Sequence, residues 1–179
     1  MFENYSHQGF FDEVFGETGV GRSHYRGVLE RLSEMGPEEF ARRVALSELT
    51  FRNQGITFTV YGDEQGVERT IPFDPVPRII PALEWDVLES GLIQRVRALN
   101  LFLHDIYHQA QILEDGIVPF DLVYSSPHYR REMRGVTLPF NAYTHVVGSD
   151  LIRGEKGNYM VLEDNLRVPS GVSYMLANR

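Results

Sequence analysis

The sequence predicts an α/β (α+β) chain in which helices pack on a mixed or antiparallel sheet. Apolar residues recur every three or four positions over Tyr25–Leu32 and again over Leu88–Ile106, whereas they alternate over Ile56–Tyr61. Two further strand-like segments flank the turn Gly154–Gly157 near the end of the chain. With 179 residues, 42% of them apolar and 23% charged, the chain is long enough to bury roughly two-thirds of its unfolded surface as one domain or one large piece of a domain.

Residues 1–22 hold four Gly and four Phe without helical or alternating periodicity and read as an irregular arm laid down by its aromatics. The remainder, 23–179, reads as one body. Tyr25, Val28, Leu29 and Leu32 mark a first helix that Gly36-Pro37 ends, and Pro37 with Glu38 and Glu39 opens a second that Gly55 closes. A half-buried strand follows over Ile56–Tyr61, then turn residues. The proline-rich run Ile71–Pro81 excludes a helix and leaves Arg78, Ile79 and Ile80 as a short edge strand. Leu88, Leu92, Val96, Leu99, Leu103 and Ile106 give the longest helix, with Gly91 a point where it could split. Pro119–Tyr124 predicts a brief helix, Tyr143–Ile152 and Asn158–Asn165 a hairpin, and Val172–Asn178 a last helix.

Composition excludes several functions. A formal charge of −8 disfavours nucleic acid and anionic membrane as partners, because both are held by clustered cations. With no cysteine, there is no disulfide, thiolate metal site or cysteine nucleophile. No signal peptide and no membrane span is legible, which predicts a cytoplasmic protein. Of 17 basic residues only Lys156 is lysine, so the compact cation that commonly grips nucleotide phosphates is nearly missing.

The chemistry concentrates in the last hairpin. Glu163 and Asn165 lie two apart on a strand and share a face. Asp150 stands thirteen residues before Glu163 on the partner strand: a loop of two or four residues puts it on the same side, and a three-residue loop without a bulge on the other. Carboxylate and amide oxygens gathered so suit a hard cation such as Mg²⁺; three such residues alone also describe a solvated sheet face.

The string Val161–Gly171, in which Glu163-Asp164-Asn165 runs through Arg167 into Pro169-Ser170-Gly171, resembles the last metal-binding segment of ATP-grasp enzymes, and Asp150 stands at the separation from the glutamate that those enzymes use. D-Alanine ligases, carbamoyl phosphate synthetases and, more loosely, glutathionylspermidine synthetases show variants of it. Because it follows a leader with a single lysine, the chain resembles the circularly permuted ATP-grasp family of bacteria, as do His24–Leu32, Phe73–Ile80 and Gly91–Asn100. The resemblance extends from about Tyr25 onward and implies an ATP-grasp-like fold, the N-terminal portion of an incomplete domain whose nucleotide-binding half follows.

The resemblance implies the metal-binding portion of an ATP-dependent carboxylate-amine or carboxylate-thiol ligase that works through an acyl phosphate and forms a peptide-type bond. Asp150, Glu163 and Asn165 would bind Mg²⁺ (or Mn²⁺), with ATP as co-substrate, and this chain alone would be inactive. Arg167 would stand by the transferring phosphoryl group, or else pair with Asp164 or Glu163 on the surface. Arg78, Ser170 and Gly171 would bind substrate; their plainer roles are an ion pair for Arg78 and a helix N-cap for the other two. Partners would be a small-molecule or peptide carboxylate, an amine or thiol acceptor, and the remaining C-terminal half of the domain. The alternative is a non-catalytic ATP-grasp-like docking or interaction module. His104 and His108, four apart on a helix, read as surface or capping residues, and Ser125-Ser126-Pro127 as a turn.

Overall fold

The computed structural model describes residue 2 and residues 5–6, 9–59 and 68–177. The chain divides into two compact units, one of residues 1–82, 153–160 and 171–179 and the other of residues 83–152 and 161–170.

In the first unit α1 (Arg26–Asn53) is two helical segments joined at Gly36, whose φ of 75° only glycine adopts without strain. Pro37 then opens the second segment, as the sequence predicts. Glu39 sits beside Arg42 and Arg43 on the exposed face, and hydrogen bonds from both guanidiniums hold its carboxyl down at about 2. β1 (Thr57–Thr59) pairs antiparallel with β2 (Glu68–Thr70), with Thr57 opposite Thr70. The sequence reading anticipated β1 but not β2; Val60 and Tyr61 lie outside the described residues.

No strand forms at Arg78–Ile80. Proline at 75, 77 and 81 removes ladder donors, and the Ile79 N–H is already taken by the hydroxyl of Tyr25 at 2.8 Å, a side chain only 1% exposed. The segment is thus fastened to the helix entry by one bond from its backbone. Phe73 adds an edge-to-face contact with buried Phe51, centroids 5.3 Å apart.

The second unit is organised by α2 (Ala82–Tyr107), which runs through Gly91 without a break. Its end packs with α3 (Gln111–Glu114) and α4 (Phe120–Tyr124) around buried Ile106, Ala110, Leu113 and Val123. Asp105 makes that corner: its carboxylate accepts the N–H groups of Gln111 and Ile112 at 3.0 and 2.9 Å, two donors that a helix start leaves without partners. β3 (Gly148–Arg153) and β4 (Tyr159–Asn165) form a two-stranded sheet. β3 begins later than Tyr143 because the Asn100 side chain claims the chain before it. Its amide oxygen accepts the N–H groups of Tyr143 and Thr144, and its nitrogen donates to the Thr144 hydroxyl at 3.0 Å. Helix α5 (Gly171–Ala177), which belongs to the first unit, follows the hairpin in the chain. Among the described residues no helix is long and apolar enough to cross a membrane.

Candidate functional site

The hairpin tip lies in the first unit. Gly157 N–H donates to Gly154 O and Gly154 N–H to Asn158 O, both at 2.9 Å, while Gly157 has φ of 78°. This is a three-residue loop closed by a glycine in the left-handed region, a common hairpin form. Continued without interruption, its register would put Asp150 and Glu163 on opposite faces.

The register does not continue uninterrupted. Along β4, Tyr159 and Val161 are half-buried and Met160 and Leu162 exposed, but Glu163 is exposed as well and the half-buried position moves to Asp164. Two consecutive exposed residues break the alternation there, the pattern a β-bulge leaves. On β3 the alternation holds, with Ser149 and Leu151 half-buried and Asp150 and Ile152 exposed. The Ser149 hydroxyl donates to Asp164 Oδ1 at 2.7 Å, so these two share the inner face. Their neighbours Asp150, Glu163 and Asn165 therefore share the outer one.

On that outer face Asn165 Nδ2 donates to Glu163 Oε1 at 3.0 Å. The bond uses one carboxylate oxygen and the amide nitrogen, leaving the second oxygen of Glu163 and the amide oxygen of Asn165 with lone pairs to offer. Among the described residues no three His, Cys, Asp or Glu side chains converge as a metal cluster; the outer-face set has two carboxylates and one amide.

On the inner face Arg95 of α2 donates to Asp164 Oδ2 at 2.6 Å, and the Asp164 side chain is only 8% exposed. Burial opposes its charged form, yet the hydrogen bonds from Ser149 and Arg95 prevail and hold the carboxyl below the ordinary aspartate value. Asp164 therefore anchors the strand between the two outward residues. Period-two alternation could have assigned it this role, because a carboxylate facing a half-buried side needs a cation; the identity of that cation, 69 residues upstream, carried no local signal.

Arg167 is exposed beyond the end of β4 and makes no ion pair among the described residues, so pairing with Asp164 is displaced by Arg95. Arg78 is likewise exposed, in the first unit, without an ion pair among the described residues. Ser170 immediately precedes α5 and Gly171 is its first residue. Gly148 and Pro169 meet at the hairpin base, where a methyl group on Gly148 would fall 2.9 Å from Pro169 Cβ. Of the surface and capping roles read for His104 and His108, capping holds for His108: both are half-buried, their rings stack 4.1 Å apart, and His108 Nδ1 lies 2.8 Å from the His104 carbonyl oxygen in the last turn of α2.

The chain is a mixed α/β one whose strand β4 presents Glu163 and Asn165 on one face ahead of the Pro169-Ser170-Gly171 turn, the segment on which the resemblance to ATP-grasp enzymes rests. A family model described as a circularly permuted ATP-grasp matches residues 77–179, and the chain belongs to that family. It is 43% identical over all 179 residues to an uncharacterized protein of Synechocystis sp., of which it spans 37%. To an uncharacterized protein of Mycobacterium tuberculosis H37Rv it is 45% identical over 169 residues, 94% of this chain and 30% of that one. A Frankia alni protein provisionally named glutamate--cysteine ligase 2-3 is 44% identical over the whole chain, which spans 20% of it. The chain thus spans little more than a third, or less, of these relatives.

Proposed function

We propose that this chain is the metal-bearing portion of an ATP-dependent ligase joining a carboxylate to an amine or thiol. The observation that carries the reading is the outward placement of Asp150, Glu163 and Asn165 on a strand pair fixed by Asp164, within a chain of the circularly permuted ATP-grasp family. The name carried by the Frankia relative supports the ligase class.

The donor set fits a hard divalent cation: two carboxylates and an amide oxygen, with neither thiolate nor imidazole among them. Asp150, Glu163 and Asn165 would hold Mg²⁺, which would supply positive charge to offset that of the ATP phosphates. In the coupling, a substrate carboxylate oxygen bonds to the γ-phosphorus as ADP departs, and the amine or thiol then bonds to the acyl carbon as phosphate leaves. Arg167, exposed and unpaired with acid among the described residues, has a guanidinium available to two phosphoryl oxygens at once. In this reading the Ser170 backbone, just ahead of α5, would serve a substrate carboxylate. With Lys156 the single lysine, the principal grip on ATP is assigned to the rest of the longer protein.

Mn²⁺ titration of this chain, followed by paramagnetic broadening of backbone amide signals, tests the metal site directly. Broadening should centre on Asp150, Glu163 and Asn165 and be lost in Glu163→Gln, with the melting temperature unchanged because Glu163 is exposed. In the longer protein the same variant should lose magnesium-dependent ADP release by orders of magnitude. Broadening centred elsewhere, or undiminished turnover, refutes the ligand assignment; a docking module would show no such turnover in the parent.

A further inference from the structure

We propose that a cleft of about 270 Å³ in the second unit, walled by Tyr124 and Tyr129 and rimmed by Arg131 and Arg134, binds a small organic oxyanion whose carboxylate or phosphate is borne on a planar group. It rests neither on the hairpin nor on the ligase reading.

The walls are firm. The rings of Tyr124 and Tyr129 meet edge to face at 5.0 Å, Tyr129 stacks on Tyr107 at 5.0 Å, and all three pack on the buried core at the end of α2. Two such rings offer a flat ligand both a face and an edge. The backbone that carries the arginines is fixed as well. Arg131–Met133 is a single 3-10 turn, tied on one side by Arg130 N–H to the Tyr107 hydroxyl at 3.2 Å and on the other by Gly135 N–H to the Tyr107 carbonyl at 2.8 Å.

The charge is unspent. In a chain of formal charge −8, Arg131 and Arg134 are exposed and make no ion pair among the described residues. Burial pushes the Tyr129 hydroxyl above its ordinary value, while Arg134 and Arg131 both act to lower it, which puts both positive charges within electrostatic reach of one point on the cleft wall. Two guanidiniums at a concave aromatic site match the forked oxygens of a carboxylate or phosphate. The volume is close to the lower end for small-molecule sites, roughly 300 Å³, and suits a ligand of amino-acid size.

Calorimetry on this chain with phenyl phosphate, benzoate and inorganic phosphate tests the site. Saturable binding of phenyl phosphate or benzoate is expected, weakened by about tenfold or more in Arg131→Gln/Arg134→Gln and only partly in the double Lys variant, which keeps charge but loses the fork. Preference between the first two probes identifies phosphate or carboxylate as the natural anion. Both variants alter exposed side chains and should melt with the parent; if the Gln pair does not, the Lys pair supplies the comparison. Absence of saturation by any probe up to about 10 mM, affinity indifferent to the arginines, or inorganic phosphate binding as tightly as phenyl phosphate would overturn the proposal.

Discussion

Asp164→Ala should destabilise the chain and disorder the outward face that carries Glu163 and Asn165 together. The wild-type carboxylate, 8% exposed, accepts from Ser149 at 2.7 Å and from Arg95 at 2.6 Å. A hydrogen bond to a charged group contributes about 1.5–3 kcal/mol when well sheltered. Arg95 is 45% exposed and can return to water, so its share is discounted, while the half-buried Ser149 hydroxyl loses its acceptor. The loss comes to roughly 2–3 kcal/mol, and at roughly 2–4 °C per kcal/mol for a chain of this size the melting temperature falls by roughly 4–12 °C. Calorimetric melting of the parent, Asp164→Ala, Arg95→Ala and the double variant should show strong coupling, with the double variant little worse than either single one. The pH dependence has a definite sign: a carboxyl held below its ordinary value stabilises fully above the unfolded-state value and loses that contribution as pH falls through the folded one. The parent should therefore lose stability below about pH 4 more steeply than Asp164→Asn. A melting temperature for Asp164→Ala within about 1 °C of the parent refutes the anchor.

Two further substitutions probe the hairpin at its ends. Gly148→Ala sets a methyl group 2.9 Å from the rigid Pro169 ring and should cost about 1–3 kcal/mol, read as a shift in denaturant midpoint without change in slope. Arg153→Ala removes a guanidinium that pairs with Glu13 at 3.1 Å and lies over the rings of Tyr159 at 3.8 Å and Phe11 at 5.0 Å; it should cost about 2–4 kcal/mol and speed tryptic cleavage at Arg22, and cleavage at the parental rate counts against the contact.

Much of the fold was legible where a local rule governs it. Gly36-Pro37 breaks α1 because one residue needs positive φ and the next lacks an amide hydrogen, and both facts are properties of the residues themselves. The hairpin strands followed from alternation and turn chemistry. What escaped depends on side chains reaching across the sequence: Tyr25 takes the Ile79 amide and abolishes an edge strand, and Asn100 takes the amides of Tyr143 and Thr144 and delays β3. β2 escaped because three residues carry too little pattern, and α3 because Asp105, six and seven positions upstream, supplies its cap.

The candidate ligand face depends on two irregularities that compensate. The three-residue tip with Gly157 shifts β4 by one position relative to β3, which by itself would turn Asp150 away from Glu163. The alternation breaks at Leu162 and Glu163, and beyond it Ser149 and Asp164 meet on the inner face, which returns Asp150 to the side of Glu163. Beyond that break in the alternation the strand has a hold of its own. Asp164 provides it from the inner face, through a serine on the partner strand and an arginine on α2. The strict order Glu163, Asp164, Asn165 is then a physical requirement: two outward oxygen donors flanking one inward carboxylate whose charge is neutralised by Arg95 and is not spent repelling the donors beside it.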